Sequence, residues 1–356
     1  MILTSITLVN FRSYKKRTIP LSSGATLIVG ENAIGKTNIL EAIMLLATSK
    51  SFRADQDREM IHWGAQMAHI TGHITPDTRL ETQITHGDFG GHTVPKKRLL
   101  VNGVPRRSID FVGNCRAVLF WPQDLELITD SPSLRRKYLD TVLVQVDREY
   151  RRNLVSYERG LRQRNKLLDL IRDGTAQRSQ LLFWNQLLIK AGGYITDKRT
   201  EFIDYLKAFE ISGIRHDIIY DKSVISETRL EQYRDEEVAA KATLVGPHRD
   251  DFVVRKIQGK RVLNAEHAEW LELSKYGSRG EQRLGVLWLK LGELSFVEHC
   301  VGNRPMLLLD DIFSELDEKH RSIVLDVTKK QQTIITSAEA DIVDELGAHE
   351  VSIIKL

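Results

Sequence analysis

Only two cysteines, Cys115 and Cys300, occur in the 356 residues, and no C-x-x-C pair is present. That argues against a disulfide framework and against a cysteine-ligated zinc site, and makes the reducing cytoplasm the expected compartment. The eleven histidines show neither H-E-x-x-H nor another ligand spacing. No apolar run approaches the roughly 20 residues needed to span a membrane, so no membrane partner is expected. The opening Met1-Ile2-Leu3-Thr4-Ser5-Ile6 alternates like a strand and lacks a basic region and a small-residue cleavage site. Sustained heptads are missing, which rules out a long coiled coil. Internal repeats, low-complexity linkers and a guanine-specifying Asn-Lys-x-Asp are missing as well.

What remains is an ordinary globular composition, 42% apolar and 28% charged, in a chain long enough for two cores. The formal charge of +3 is mild, but its distribution is not even. Between residues 135 and 166 stand ten basic residues, Arg135, Arg136, Lys137, Arg148, Arg151, Arg152, Arg159, Arg162, Arg164 and Lys166. Four acidic residues oppose them: Asp140, Asp147, Glu149 and Glu158. A solvated helix face and a phosphate-binding surface are both open readings. On the second, Arg148, Arg151, Arg152 and Arg159 are the candidate phosphate contacts.

Gly30-Glu31-Asn32-Ala33-Ile34-Gly35-Lys36-Thr37 fits G-x-x-x-x-G-K-[ST], the loop whose backbone N–H groups cradle nucleotide phosphates. Ala25 to Val29 reads as a buried strand before it, and Asn38 to Ala47 as a helix after it, the context the motif requires. Gly30 and Gly35 permit the tight path. Lys36 is placed for the β- and γ-phosphates and the Thr37 hydroxyl for Mg²⁺, while the helix start adds its positive end. Far along the chain, Met306-Leu307-Leu308-Leu309-Asp310-Asp311 reads as a central parallel strand ending in two carboxylates. Asp310 is the expected holder of Mg²⁺, directly or through water, and Asp311 the group that orients and activates an attacking water. Lys36 and Asp311 are thus the catalytic candidates. The wide gap between loop and acidic strand argues against a small GTPase.

Ser278-Arg279-Gly280-Glu281-Gln282 opens a helix expected over 280–297. Ser278 fits an N-cap, with Glu281 or Gln282 completing the capping arrangement. The same N–H groups and hydroxyl suit a γ-phosphate. Leu284, Leu287, Trp288, Leu291 and Leu294 share one face of this helix. Gly285 and Gly292 cost about 1 kcal/mol each in a helix interior, so something is expected to pack close against them.

Elsewhere, residues 2–9 alternate as a strand, and 67–104 read as an antiparallel sheet with an Asn102-Gly103 hairpin. From about 133 to 210 the character is helical. One stripe comprises Tyr150, Leu154, Tyr157 and Leu161, and a second helix carries Leu181, Trp184, Leu187, Leu188 and Ala191. Strand-like segments return at 251–263, and a last strand is expected at Thr333 to Thr336.

The serine-glycine segment resembles the signature of ABC-type ATPases. The chain as a whole resembles the RecF family, bacterial recombination-mediator ATPases related to the heads of SMC proteins. The resemblance is carried in order by Asn10-Phe11-Arg12-Ser13-Tyr14, Ser51-Phe52-Arg53 and Phe120-Trp121-Pro122-Gln123-Asp124-Leu125, then by Ser131-Pro132-Ser133-Leu134-Arg135-Arg136 and Gly246-Pro247-His248-Arg249-Asp250-Asp251. It implies an α/β fold: an ABC/SMC-type P-loop ATPase head, with a mixed sheet plus an antiparallel sheet, over residues 1–125 and 265–356. A smaller, mainly helical second lobe would span 126–264.

ATP and Mg²⁺ are the implied cofactors. Gly30 to Thr37, Asn38, Arg12, Ser13 and Tyr14 would hold the nucleotide. Gln123 would join Thr37 and Asp310 at the metal, and Ser278 to Gln282 would serve a partner's nucleotide in trans. Ser314 to Asp317 resembles the loop connecting the two active sites of such dimers. The implied activity is an ATP-dependent homodimer that clamps single- or double-stranded, gapped DNA and helps RecR and RecO load RecA, with slow hydrolysis timing release. Ala33 stands where the family usually has Gly, and Gln123 where it usually has Glu. The rival reading is a transporter-type ABC ATPase subunit, and a third is a structural dimer with ATP as a fixed cofactor.

Overall fold

The computed structural model describes residues 1–257, 270–338 and 351–356. Strand Ala25–Val29 enters the phosphate loop from inside a five-stranded sheet. The order is Ala117–Phe120, Met306–Asp310, Thr333–Ser337, Ala25–Val29, Val351–Lys355, every neighbouring pair parallel. Such a strand is covered on both faces, and Leu27 and Ile28 are accordingly fully buried, as are Leu308 and Leu309. Six antiparallel strands form a separate sheet ordered Tyr14–Pro20, Leu3–Phe11, Met67–Ile74, Thr78–Thr85, Lys97–Val101, Val104–Arg106. The mixture of directions thus lies between two sheets and not within one. Val101 pairs with Val104 across Asn102 and Gly103, both at positive φ as a two-residue hairpin turn requires.

Helix Lys36–Thr48 touches strands of both sheets. That explains why Ile39, Leu40, Ala42, Ile43, Leu45, Leu46 and Ala47 are buried all round with no polar face. Burial of each leucine or isoleucine contributes about 2 kcal/mol. Gln332 ties the sheets together: its Oε1 accepts the Leu3 N–H at 2.8 Å, and its Nε2 donates to the Leu3 and Ser22 carbonyls, both at 2.7 Å.

The chain divides into two units, 1–124 with 293–356 and 125–292. The first boundary lies one residue from the expected 125/126. The second falls at 292/293 and not at 264/265, so the Ser278–Gln282 segment belongs with the second unit. The physical reason is local packing. A Cβ at Gly285 would overlap Leu273 Cδ2, and one at Gly292 would overlap Leu206 Cδ2, so the helix residues up to Gly292 seat directly against second-unit side chains.

Helices Pro132–Val146, Arg148–Arg172 and Leu182–Ala208 dominate the second unit, with a three-stranded antiparallel sheet of Asp217–Asp221, Asp251–Ile257 and Trp270–Glu272. The predicted strand segment over 258–263 lies outside the described residues. Tyr150, Leu154 and Tyr157 form the expected buried stripe, continued by Gly160, Arg164 and Leu168 in place of Leu161. Buried Arg199 organises this unit. It donates to Asp140 at 2.8 Å, to Asp250 at 3.0 Å and to the Pro247 carbonyl at 2.7 Å. Arg135 grips Asp251 through two bonds of 2.6 and 3.0 Å, and Arg136 reaches the Asp250 carbonyl at 2.8 Å. Two motif stretches far apart in sequence, 131–136 and 246–251, therefore meet in one partly buried charge network, with Arg199 and Asp250 as its fully buried pair. Losing Arg199 would leave the Asp250 charge stranded, at about 3–5 kcal/mol.

Candidate nucleotide site and signature segment

The phosphate loop owes its shape to its neighbours in the first unit. Gly35 has φ +116°, and a Cβ there would lie 2.6 Å from Ser13 Oγ and 3.0 Å from the Tyr14 hydroxyl. Only glycine meets both conditions. The Tyr14 hydroxyl donates to the Gly35 carbonyl at 3.1 Å, and burial pushes its phenol above the ordinary tyrosine range. Asn38 Nδ2 donates to Ser13 Oγ at 3.0 Å. Ser13, Tyr14 and Asn38 thus do come together with the loop. Ala33 takes φ +66°, the left-handed conformation in which a Cβ is strained.

The Lys36 side chain is buried, and its ammonium donates to the Gly30 carbonyl at 2.6 Å and to the Glu31 carbonyl at 3.0 Å. The Thr37 hydroxyl donates to Asp310, 3.0 Å from Oδ1 and 2.8 Å from Oδ2. Thr336 donates to Asp310 Oδ1 at 2.7 Å from the register-paired position on the adjacent strand. Burial raises the Asp310 carboxyl above the usual aspartate value, while the Thr336 and Thr37 hydroxyls pull it back. Asp311 follows at φ +51°, its N–H donating to the Thr336 carbonyl at 3.2 Å. A hydroxyl and a buried carboxylate in direct contact are a hard-oxygen donor set of the kind that suits Mg²⁺.

Arg12 is engaged with the loop helix. Its Nε and Nη2 bind both oxygens of fully buried Glu41 at 2.8 and 2.6 Å, and Nη1 donates to the Glu59 carbonyl at 2.9 Å. All three nitrogens are engaged, so in this conformation Arg12 fixes the 10–14 segment against the loop helix. Gln123 is exposed in the turn Pro122–Leu125, and among the described residues no hydrogen bond joins it to Thr37 or Asp310. Its neighbours hold the turn instead: Asp124 accepts the Trp121 N–H at 3.0 Å, and Trp121 meets Phe52 edge-on at 4.7 Å.

Sequence reasoning missed Glu41, Ser51 and Thr336. Glu41 is the lone charge in an otherwise apolar helix run, a signal that was available; Ser51 donates to it at 2.6 Å. Thr336 could be found only by knowing the strand register.

In the second unit, Ser278 is the N-cap expected of it. Glu281 N–H donates to Ser278 Oγ at 3.3 Å and Ser278 N–H to Glu281 Oε2 at 2.7 Å, a reciprocal capping box. Gln282 turns inward, donating to the Leu273 and Ser274 carbonyls at 3.3 Å each. Ser278, Arg279 and Gly280 are exposed.

The four candidate DNA arginines lie on helix Arg148–Arg172 with different environments. Arg148 and Arg159 are exposed, Arg152 pairs with Glu149 at 3.0 Å, and Arg151 donates to the Val144 carbonyl. Arg164, counted in the basic stretch, is buried and paired to Glu237 at 2.6 Å, so it belongs to the core.

Residues 1–111 match the family model of an AAA ATPase domain. The DNA replication and repair protein RecF of Roseiflexus castenholzii is 34% identical over 96% of this chain and 94% of its own length. That of Moorella thermoacetica is 37% identical over 95% of this chain and 90% of its own. Two solved structures of the recombination mediator protein RecF of the RecFOR pathway, RecF-ATPrS and RecF-ATP, align with TM-scores of 0.84 and 0.83 at 29% and 30% identity. They match over 100% and 95% of this chain, and 96% and 92% of theirs.

Proposed function

The chain belongs to the RecF family of DNA replication and repair proteins, and from that premise we propose that it is an ATP-dependent DNA clamp whose two nucleotide sites form only between two copies. The observation that carries the reading is the Thr37–Asp310 contact, which joins loop and acidic strand across 273 positions of sequence. RecF structures described with ATP in the RecFOR pathway support it.

On this reading the loop N–H groups and Lys36 hold the triphosphate, and the ammonium exchanges the Gly30 and Glu31 carbonyls for phosphate oxygens. Thr37 and Asp310 would hold Mg²⁺, which would supply charge neutralisation for the phosphates. Asp311 orients a water and takes its proton as the water oxygen bonds to the γ-phosphorus and the bond from that phosphorus to the β–γ bridging oxygen breaks, ADP leaving with the electron pair. Ser278 and the helix start behind it, from the second copy, bind the γ-phosphate oxygens. Hydrolysis removes that link and releases the dimer. Arg148 and Arg159 meet DNA phosphates, single- or double-stranded at a gap, and RecR and RecO use the bound clamp to load RecA. The relatives named above are DNA replication and repair proteins, which favours this reading over the transporter-type subunit.

The test is sedimentation with ATP, ADP or no nucleotide in Mg²⁺ buffer. Dimers with ATP alone are expected, and Asp311→Asn should keep ATP and stay dimeric. Equal sedimentation with ATP and ADP would remove the reading.

A further inference from the structure

Trp63 is 96% exposed, although tryptophan is on average a well-buried residue. Its backbone is nonetheless held. The Ala65 N–H donates to the His62 carbonyl at 2.9 Å, closing a four-residue turn around Trp63 and Gly64, the latter at φ +81°. The His62 N–H donates to the Asn10 carbonyl at 2.8 Å, and its Nδ1 to the Arg12 carbonyl at 2.6 Å. The Arg12 N–H returns to the Met60 carbonyl at 2.9 Å, and Ile61 bridges Phe11. The turn is thus tied to the end of strand Leu3–Phe11 and, through Arg12, to Glu41 of the loop helix. A Cβ at Gly64 would meet no atom within 4 Å, so the space beside this turn is open.

At the same end of the six-stranded sheet, Lys16, Val9, His69, Gln83 and Arg98 pair in register across five strands. They alternate with the buried Leu8, Ala68 and Ile84. Gly72, on that buried face, abuts Leu46 of the loop helix, so the row lies on the opposite face. Lys16 and Arg98 are exposed, and among the described residues neither has an ion pair. The row carries no acidic side chain, and Glu81, one row on, is taken by Arg79 at 2.7 Å and His69 at 3.0 Å. With strands about 4.8 Å apart, the row runs roughly 19 Å from one cation to the other.

An exposed indole on a fixed turn, beside a polar face that carries cations, suits an unpaired base and its phosphates. Every base has a π-face to stack, and the cations meet the backbone. A base inside a duplex has no face to offer, because its neighbours already stack on both. A protein partner would instead need contiguous apolar surface, and His62, Gly64 and Gln66 around the indole supply none. We propose that Trp63 is the platform on which an unpaired base of gapped or single-stranded DNA stacks, with Lys16 and Arg98 on nearby phosphates of the same strand. The inference rests on the DNA clamp proposed above and adds to it a residue that tells a gap from continuous duplex.

The test is fluorescence anisotropy with Mg²⁺ and ATP present, over a range of salt. The probes are labelled single-stranded oligothymidylate, a gapped duplex and the same duplex without a gap. Trp63→Ala is expected to bind the first two roughly five- to hundredfold more weakly with an unchanged salt slope, and the continuous duplex as wild type does. Trp63→Phe, which keeps a π-face, should recover most of the loss. Lys16→Glu combined with Arg98→Glu should instead lower the slope of log K against log salt on the single strand, by about 0.7 for each phosphate no longer neutralised. An unchanged slope there would overturn the phosphate assignment. Equal losses of Trp63→Ala on gapped and continuous duplex would overturn the stacking role, as would a Trp63→Phe protein no better than Trp63→Ala. Unchanged binding of all three DNAs by Trp63→Ala would overturn the proposal and leave the indole to a protein partner. Wild type that binds none of them would remove the DNA reading, and the platform with it.

Discussion

Asp310 is a buried carboxylate that accepts hydrogen bonds from two neutral hydroxyls, those of Thr37 and Thr336. Burial raises its folded value above the 3.8 of a free aspartate. The sign follows from linkage. A raised value favours the protonated form, so the unliganded fold is best stabilised below pH 3.8 and loses that contribution as pH climbs through the folded value. At neutral pH the charge is a burden unless a bound cation shares it. Asp310→Asn should therefore raise the melting temperature of the nucleotide-free protein, by about 1–2 °C, while abolishing the further rise expected of wild type with Mg²⁺ and ATP. Thermal scans with and without Mg²⁺-ATP check both; a lower melting point without nucleotide would contradict the burial argument. At this scale the sequence was most legible where a motif dictates chemistry, as for Lys36, Thr37 and Asp310. It was least legible for Arg12, because its partner Glu41 is chosen by tertiary packing.

Helix Arg148–Arg172 shows how far pattern reading reaches at the level of an element. Its apolar stripe was visible in spacing, and so was the close packing at Gly285 and Gly292 of the signature helix. Which arginines face water was not visible, since Arg164 sits on the stripe and finds Glu237 through the fold. Strands Asp217–Asp221 and Val351–Lys355 escaped for a related reason. The first is a five-residue edge strand in a helical context, and among the described residues the second pairs only with Ala25–Val29, so neither declares itself locally. If the exposed arginines meet DNA, reversing Arg148 and Arg159 to Glu should weaken binding at low salt. The slope of log K against log salt should fall by about 0.9 for each duplex phosphate that is no longer neutralised. Unchanged affinity and slope in a salt titration would place the DNA surface elsewhere.

At the scale of the whole molecule, one reading made sense of two motifs separated by most of the chain: a nucleotide head interrupted by an insertion. The sheet order carries this out. Thr333–Ser337 lies between Ala25–Val29 and Met306–Asp310, and its Thr336 pairs with Ile28 on one side and Asp310 on the other. The signature falls in the second unit together with the helix residues up to Gly292, whose glycines pack against Leu273 and Leu206, an arrangement that neither spacing nor composition encodes. The central claim is that each working site takes its phosphate loop from one copy and its signature from the other. It is tested most directly by mixing two inactive proteins, Lys36→Ala and Ser278→Arg, and measuring ATP hydrolysis with gapped DNA present. Each homodimer has two broken sites. In the mixed dimer both lesions fall in one site and leave the other intact, so activity should return at up to about half the wild-type rate per dimer if the sites act independently. Demonstrated heterodimers with no recovered hydrolysis would contradict independent sites shared between two copies.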